Sequence, residues 1–165
     1  MKPFSQTNLG VHFLSTTDEW PTPQFLFKAL HAEFGFTLDP AATPENAKCA
    51  TFFTRFDDGL SQDWRGHVVF LNPPYGREIG RWVRKAFETA AAGSVVVCLL
   101  PARTDTQWWH DYVSRGEIRF LRGRLRFEGG KHCAPFPSAV VVFRPWATPL
   151  VHVGNSTKSP QKGGH

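Results

Sequence analysis

The chain has 165 residues, 41% hydrophobic and 14% aromatic, with 19 lysines and arginines against 14 acids. That length holds one domain with a real core and leaves little room for a second, and the composition excludes a disordered chain. The net charge of +5 favours a polyanionic partner, while no apolar run reaches the ~18 residues of a membrane span.

Cys49, Cys98 and Cys133 are odd in number and lack a Cys-x-x-Cys pair, which fits a reducing cytosol and argues against a disulfide framework or a structural zinc site. The seven histidines are scattered without ligand spacing, so no metal is expected. A soluble, cytoplasmic protein with no membrane partner follows as the expectation.

Residues 1–17 are polar and aperiodic and read as a loose N-terminal arm. Thr22 and Pro23 then form a helix start, cap followed by proline. Phe25, Leu26, Ala29 and Leu30 share one face, and Gly35 can close the helix in a left-handed cap. Phe34 to Leu38 reads as a strand, with Asp39-Pro40-Ala41-Ala42 at its carboxyl end, the edge of an open α/β sheet where ligands sit. No G-x-G lies between Phe36 and Phe56. Asp57 and Asp58 follow Asp39 by 18 and 19 residues, near the offset of about 20 at which such folds place a ribose-binding acid. The same Asp-Asp-Gly is also a strong turn signal.

Val68 to Leu71 is a continuous apolar run suited to a central strand covered on both faces, and Asn72-Pro73-Pro74-Tyr75 ends it. Two prolines cannot donate to a ladder, so their carbonyls are free for a ligand. Asn72 adds an amide and Tyr75 a flat ring with a polar tip. The set suits a planar molecule bearing an amino group, accepted by the carbonyls and stacked on the ring.

Ile79, Trp82, Val83, Ala86, Phe87 and Ala90 fall at helical spacing up to Gly93. Ser94 to Leu100 is a second buried strand, and parallel crossover brings Arg103 to the edge that carries Tyr75. Thr104 and Gln107 make a capping box for a short helix with Trp108, Trp109 and Tyr112.

Ile118, Phe120, Leu125 and Phe127 then alternate with Arg119, Arg122, Arg124 and Arg126, strand periodicity with one cationic side. It is either a charge-guarded edge or a phosphate-contacting face. A Gly129–Pro137 loop precedes a valine-rich strand from Pro137 to Phe143. Residues 146–165 read as a disordered tail, leaving 18–145 as the domain.

Several blocks act together: Asp18-Glu19-Trp20-Pro21-Thr22-Pro23, Leu38-Asp39-Pro40-Ala41-Ala42, Asp58-Gly59-Leu60, Asp63-Trp64, Asn72-Pro73-Pro74-Tyr75 and Leu100-Pro101-Ala102-Arg103. Over Asp18 to Arg144 they resemble the compact, Dam-like DNA N6-adenine methyltransferases commonly encoded by bacteriophages. The resemblance implies an α/β fold: a compact, Rossmann-like S-adenosylmethionine-dependent methyltransferase, its mostly parallel sheet closed by a C-terminal antiparallel hairpin from Arg124 to Phe143, whose Gly129–Pro137 loop would face the catalytic edge and bring Phe136 to the target base.

It further implies that Asn72, Pro73, Pro74 and Tyr75 are catalytic. Thr22, Pro23, Asp39, Pro40, Ala41, Asp58, Asp63 and Trp64 would hold S-adenosylmethionine, Asp39 at the methionine ammonium and Asp63 with Trp64 at the adenine. Thr22 and Pro23 are equally explained by capping alone.

On this reading DNA is the partner of Arg77, Arg81, Arg103, Arg122, Arg124, Arg126 and Lys131, the enzyme is a monomer or homodimer, and it works in the cytoplasm of a bacterial host. Rival readings are an amino-methyltransferase acting on cytosine N4, RNA adenine or protein glutamine, and a non-catalytic DNA-binding relative.

Overall fold

A computed structural model describes residues 18–129 and 132–146. Six strands form one sheet in the order β2-β1-β3-β4-β6-β5. They are β1 (Leu38–Asp39), β2 (Thr51–Phe52), β3 (Val68–Leu71), β4 (Val95–Pro101), β5 (Glu117–Phe120) and β6 (Ser138–Phe143). The first four run parallel, whereas β6 pairs antiparallel with both β4 and β5.

Among the described residues three α-helices accompany the sheet, α1 (Gln24–Phe34), α2 (Ile79–Ala91) and the short α3 (Gln107–Asp111), with a 3-10 turn at Val113–Arg115. No helix among the described residues is long and apolar enough to cross a membrane. The expected mixed sheet with an antiparallel C-terminal end is what the chain forms.

Its centre is where the apolar runs predicted it. Val69, Phe70 and Leu71 in β3, Val96 to Leu100 in β4 and Ala139 to Phe143 in β6 are all buried, because strands flanked by neighbours and covered by helices have no wet face. From α2, Ile79, Val83, Ala86 and Ala90 are buried at helical spacing, and Gly93 ends the helix at φ 111°.

Gly35 at φ 68° closes α1 as expected, its N–H donating to His31 O at 2.8 Å. That cap corrects the predicted strand from Phe34 to Leu38. Phe34 is the last helical residue, and only Leu38 and Asp39 join the ladder.

Two caps differ from expectation. Pro23, not Thr22, is the N-cap of α1, and no side chain caps it. Thr106 stands at the N-cap of α3 rather than Thr104, and its hydroxyl donates to Arg103 O at 2.7 Å.

The alternating stretch after Arg115 is only partly a strand. β5 ends at Phe120, and Gly123 turns at φ 77°. Leu125 and Phe127 still point inward and are buried, so the alternation records burial along a connector, not a hairpin from Arg124 to Phe143. Arg119 bridges Glu33 and Glu117 at 2.7 Å, pinning edge strand β5 to α1 as a charged edge guard does.

Candidate active site

The parallel strands β1 and β3 end side by side, and the loops after them enclose a cavity of about 240 Å³. Asp39, Pro40 and Ala41 reach it from β1, while Asn72, Pro73 and Pro74 reach it from β3. Thr22 comes from the segment before α1, and Asp58 from the turn after β2. Eight of the residues singled out in the sequence therefore meet in one place, at the carboxyl edge where open α/β sheets bind ligands.

Asp39 is 4% exposed. Its carboxylate accepts from Lys48 N at 3.0 Å and, more weakly, from Ala41 N at 3.4 Å. Burial outweighs these bonds and pushes its pKa up to about 6. A carboxylate so placed gains from a cation beside it.

Between Asp57 and Asp58 the geometry separates two jobs. Asp57 turns back to Thr54 N and Oγ1, at 2.8 and 2.7 Å. Asp58 lines the cavity and has φ 50°, the one positive value for a non-glycine among the described residues. Ser61 donates to its carboxylate. Gly59 must be glycine, since a Cβ there would lie 2.0 Å from Pro40 O.

Asn72 is held from the N-terminal side. Its Nδ2 donates to Trp20 O at 2.6 Å and to Thr22 Oγ1 at 2.9 Å. Its Oδ1 is buried and accepts no hydrogen bond from the described residues. Buried acceptors are almost always paired, so this one is an opening for a donor brought by a ligand.

Four expectations are corrected. Tyr75 is 3% exposed: its hydroxyl donates to Leu99 O at 3.1 Å, and Phe127 and Phe136 pack against its ring at 6.2 and 5.5 Å. With its polar tip satisfied and its faces among apolar rings, it is a core residue and offers no surface for stacking. Trp64 is likewise interior, its Nε1 donating to Gly59 O at 2.8 Å. Asp63 is exposed and engaged by Arg65 at 2.7 Å, which holds its carboxyl well below the usual range. Pro23 is buried under the first turn of α1, where its carbonyl accepts from Leu26 N and Phe27 N.

Other residues take up the lining that these vacate: Trp20, Lys48, Arg55 and Trp82. Trp82 lies over Trp64, ring centroids 6.0 Å apart and planes 22° apart. In the sequence Trp82 shows only as one apolar member of a helical face, and Trp20 only as part of the Asp18–Pro23 block.

Of the predicted DNA contacts, Arg77, Arg122, Arg124 and Arg126 are exposed. Arg81 is exposed but pairs with Glu78. Arg103 is half-buried, close enough to Tyr75 for its charge to act on the phenol. Lys131 lies outside the described residues, as do the proposed arm and all of the tail beyond Trp146.

The chain matches the family described as DNA N-6-adenine-methyltransferase (Dam) over residues 12–163. It is 27% identical over 144 residues to the DNA N-6-adenine-methyltransferase of Haemophilus phage HP1, covering 81% of this chain and 82% of that protein. It is 35% identical over 94 residues to the enzyme of the same name from Escherichia phage T1, covering 56% of this chain and 39% of the other. A putative methyltransferase of Escherichia coli K12, YfdM, is 38% identical over 65 residues, covering 35% of this chain and 71% of its own length.

Proposed function

The chain belongs to the DNA N-6-adenine-methyltransferase family, and from that premise we propose that it moves a methyl group from S-adenosylmethionine to the N6 amine of adenine in DNA. The observation that carries the site assignment is the orphaned, buried Asn72 Oδ1 on a residue that lines the same cavity as the buried Asp39 carboxylate.

The residues present suit the methyl donor. Asp39 answers its ammonium group, Asp58 stands at the distance along the chain expected of a ribose acid, and Trp82 supplies an aromatic wall beside Gly59. S-adenosylmethionine brings the electrophilic methyl. The protein's own work is placement and electrostatics.

Adenine inside a duplex is out of reach of this cavity, so it arrives flipped or single-stranded. Asn72 Oδ1 and the Pro73 carbonyl then accept the two N6 hydrogens. Both acceptors favour the amine geometry in which the lone pair leaves the ring plane, and both offset the positive charge that builds on nitrogen as the new bond forms. As the nitrogen–methyl bond would form, the methyl–sulfur bond would break with its electron pair left on sulfur; the cationic N6 so formed is acidic and releases its surplus proton to water, so no strong base is needed. Tyr75 serves this arrangement from below, as packing under the turn, and the cavity's flat surfaces come from Trp20 and Trp82.

Arg122, Arg124 and Arg126 have no ion-pair partner among the described residues. That leaves their charge for phosphates, where contacts position the duplex.

Incorporation of labelled methyl from S-adenosylmethionine into DNA tests the reading. The wild-type protein incorporates label and Asn72→Ala does not. Equal incorporation by both would overturn the role of Asn72.

A further inference from the structure

We infer that Thr22 is a positioning residue for the catalytic amide: with the Trp20 carbonyl, it locks Asn72 so that oxygen, not nitrogen, faces the incoming amine. The inference rests on the methyl-transfer reading above, and it assigns to Thr22 a task separate from cofactor binding.

The orientation of an amide is ambiguous only where its neighbours can both donate and accept. Trp20 O, 2.6 Å from the amide, can only accept. The atom facing it must therefore be Nδ2. The second N–H of the same nitrogen goes to Thr22 Oγ1 at 2.9 Å. Both donors are consumed, and Oδ1 is turned away from them with no partner. Rotating the amide by half a turn would set Oδ1 against the Trp20 carbonyl and present N–H groups to the substrate amine, donor against donor.

The segment that imposes this is itself clamped to the Asn72–Gly76 turn. Tyr75 N donates to Asp18 O at 2.9 Å. Gly76 sits so close to the Asp18 side chain that a Cβ would lie 2.4 Å from its carboxylate. Glu128 N donates to Pro21 O at 2.9 Å, holding the segment from its other side. Thr22 is 3% exposed, so its hydroxyl cannot exchange this bond for one to bulk water.

A second consequence concerns residue choice at position 72. An ionised aspartate has no donor for the Trp20 carbonyl, so two oxygens would face each other across the distance that Nδ2 now spans. Protonation restores a donor. This chain is therefore built for asparagine.

The test uses Thr22→Val, Thr22→Ser and Asn72→Asp. Thr22→Val keeps shape but removes the acceptor: kcat on DNA falls about tenfold or more, on the scale of losing one preorganised contact. Its Kd for S-adenosylmethionine by calorimetry stays within about twofold, because the lost contact is made to Asn72 and not to ligand. Thr22→Ser, which retains the hydroxyl, recovers most of the rate.

Asn72→Asp loses thermal stability relative to wild type as pH rises, and its activity relative to wild type increases as pH falls. Wild-type kcat in Thr22→Val, a loss explained wholly by weaker cofactor binding, or an Asn72→Asp stability with the wild-type pH dependence would overturn the inference. If the wild-type protein methylates no DNA, the functional reading fails instead, and the stability of Asn72→Asp against pH still decides whether the amide is locked.

Discussion

Removing the charge of Asp39 should make the ligand-free protein more stable and at the same time deprive it of its cofactor. In the fold this carboxyl is buried and its pKa is raised from 3.8 to about 6. At about 1.4 kcal/mol per pH unit, that elevation corresponds to roughly 3 kcal/mol by which the ionised side chain opposes folding. The folded state keeps the proton between pH 3.8 and about 6 whereas the unfolded chain has released it. Stability therefore declines as pH rises through that window and is lowest, for this group, above it.

Asn at position 39 cannot ionise, yet its carbonyl oxygen can still accept from Lys48 N. Thermal unfolding of Asp39→Asn at pH 7 should thus lie above wild type, by roughly 6 to 12 °C for a chain of this size. The gap should shrink below pH 4. Calorimetric titration should show the reverse for ligand: wild type binds S-adenosylmethionine about tenfold more weakly at pH 5 than at pH 7, as about nine carboxyls in ten take up a proton. Asp39→Asn binds weakly at both. An Asp39→Asn protein that is no more stable than wild type, or that binds the cofactor equally well, would refute the placement of a buried carboxylate at the ammonium group.

Three further outcomes follow from the geometry. Tyr75→Ala should destabilise the protein by about 3 to 5 kcal/mol, as large aromatic truncations in cores do, measured by urea unfolding; a loss below 1 kcal/mol would mean that the ring is not interior. Tyr75→Phe, which removes only the hydroxyl bonded to Leu99 O, should lose about 1 kcal/mol. Changing Arg124 and Arg126 to Gln together should weaken DNA binding and flatten its dependence on salt by about two phosphate contacts, read by fluorescence anisotropy at several salt concentrations; an unchanged slope would make this stretch a solvated face.

Much of this site was legible before any coordinates, and the reason is local chemistry. An apolar run ended by Asn72-Pro73-Pro74 has one way to stop, and a strand ended by Asp39-Pro40 has another. Parallel order then forces the two ends together. What the sequence did not disclose depends on partners distant along the chain.

Tyr75 reads as a stacking ring until Phe127 and Phe136, some 50 and 60 residues later, close over it. Trp64 and Trp82 are exchanged for the same reason, since spacing identifies a helical face but not which of its members borders a cavity. Thr22 carries a capping signature, yet its oxygen is claimed by Asn72, and a contact across 50 residues leaves no local trace. The alternation from Ile118 to Phe127 marks Leu125 and Phe127 correctly as inward but fails at Phe120, which is exposed at the end of β5, and Gly123 decides that only the first part pairs.

On the proposed mechanism, Asn72 presents an acceptor to the amine of a purine. Mass spectrometry of nucleosides from DNA incubated with the protein and S-adenosylmethionine tests it most directly. N6-methyldeoxyadenosine should accumulate with wild type and be absent with Asn72→Ala. Formation of N4-methyldeoxycytidine alone, or of no methylated nucleoside, would contradict it.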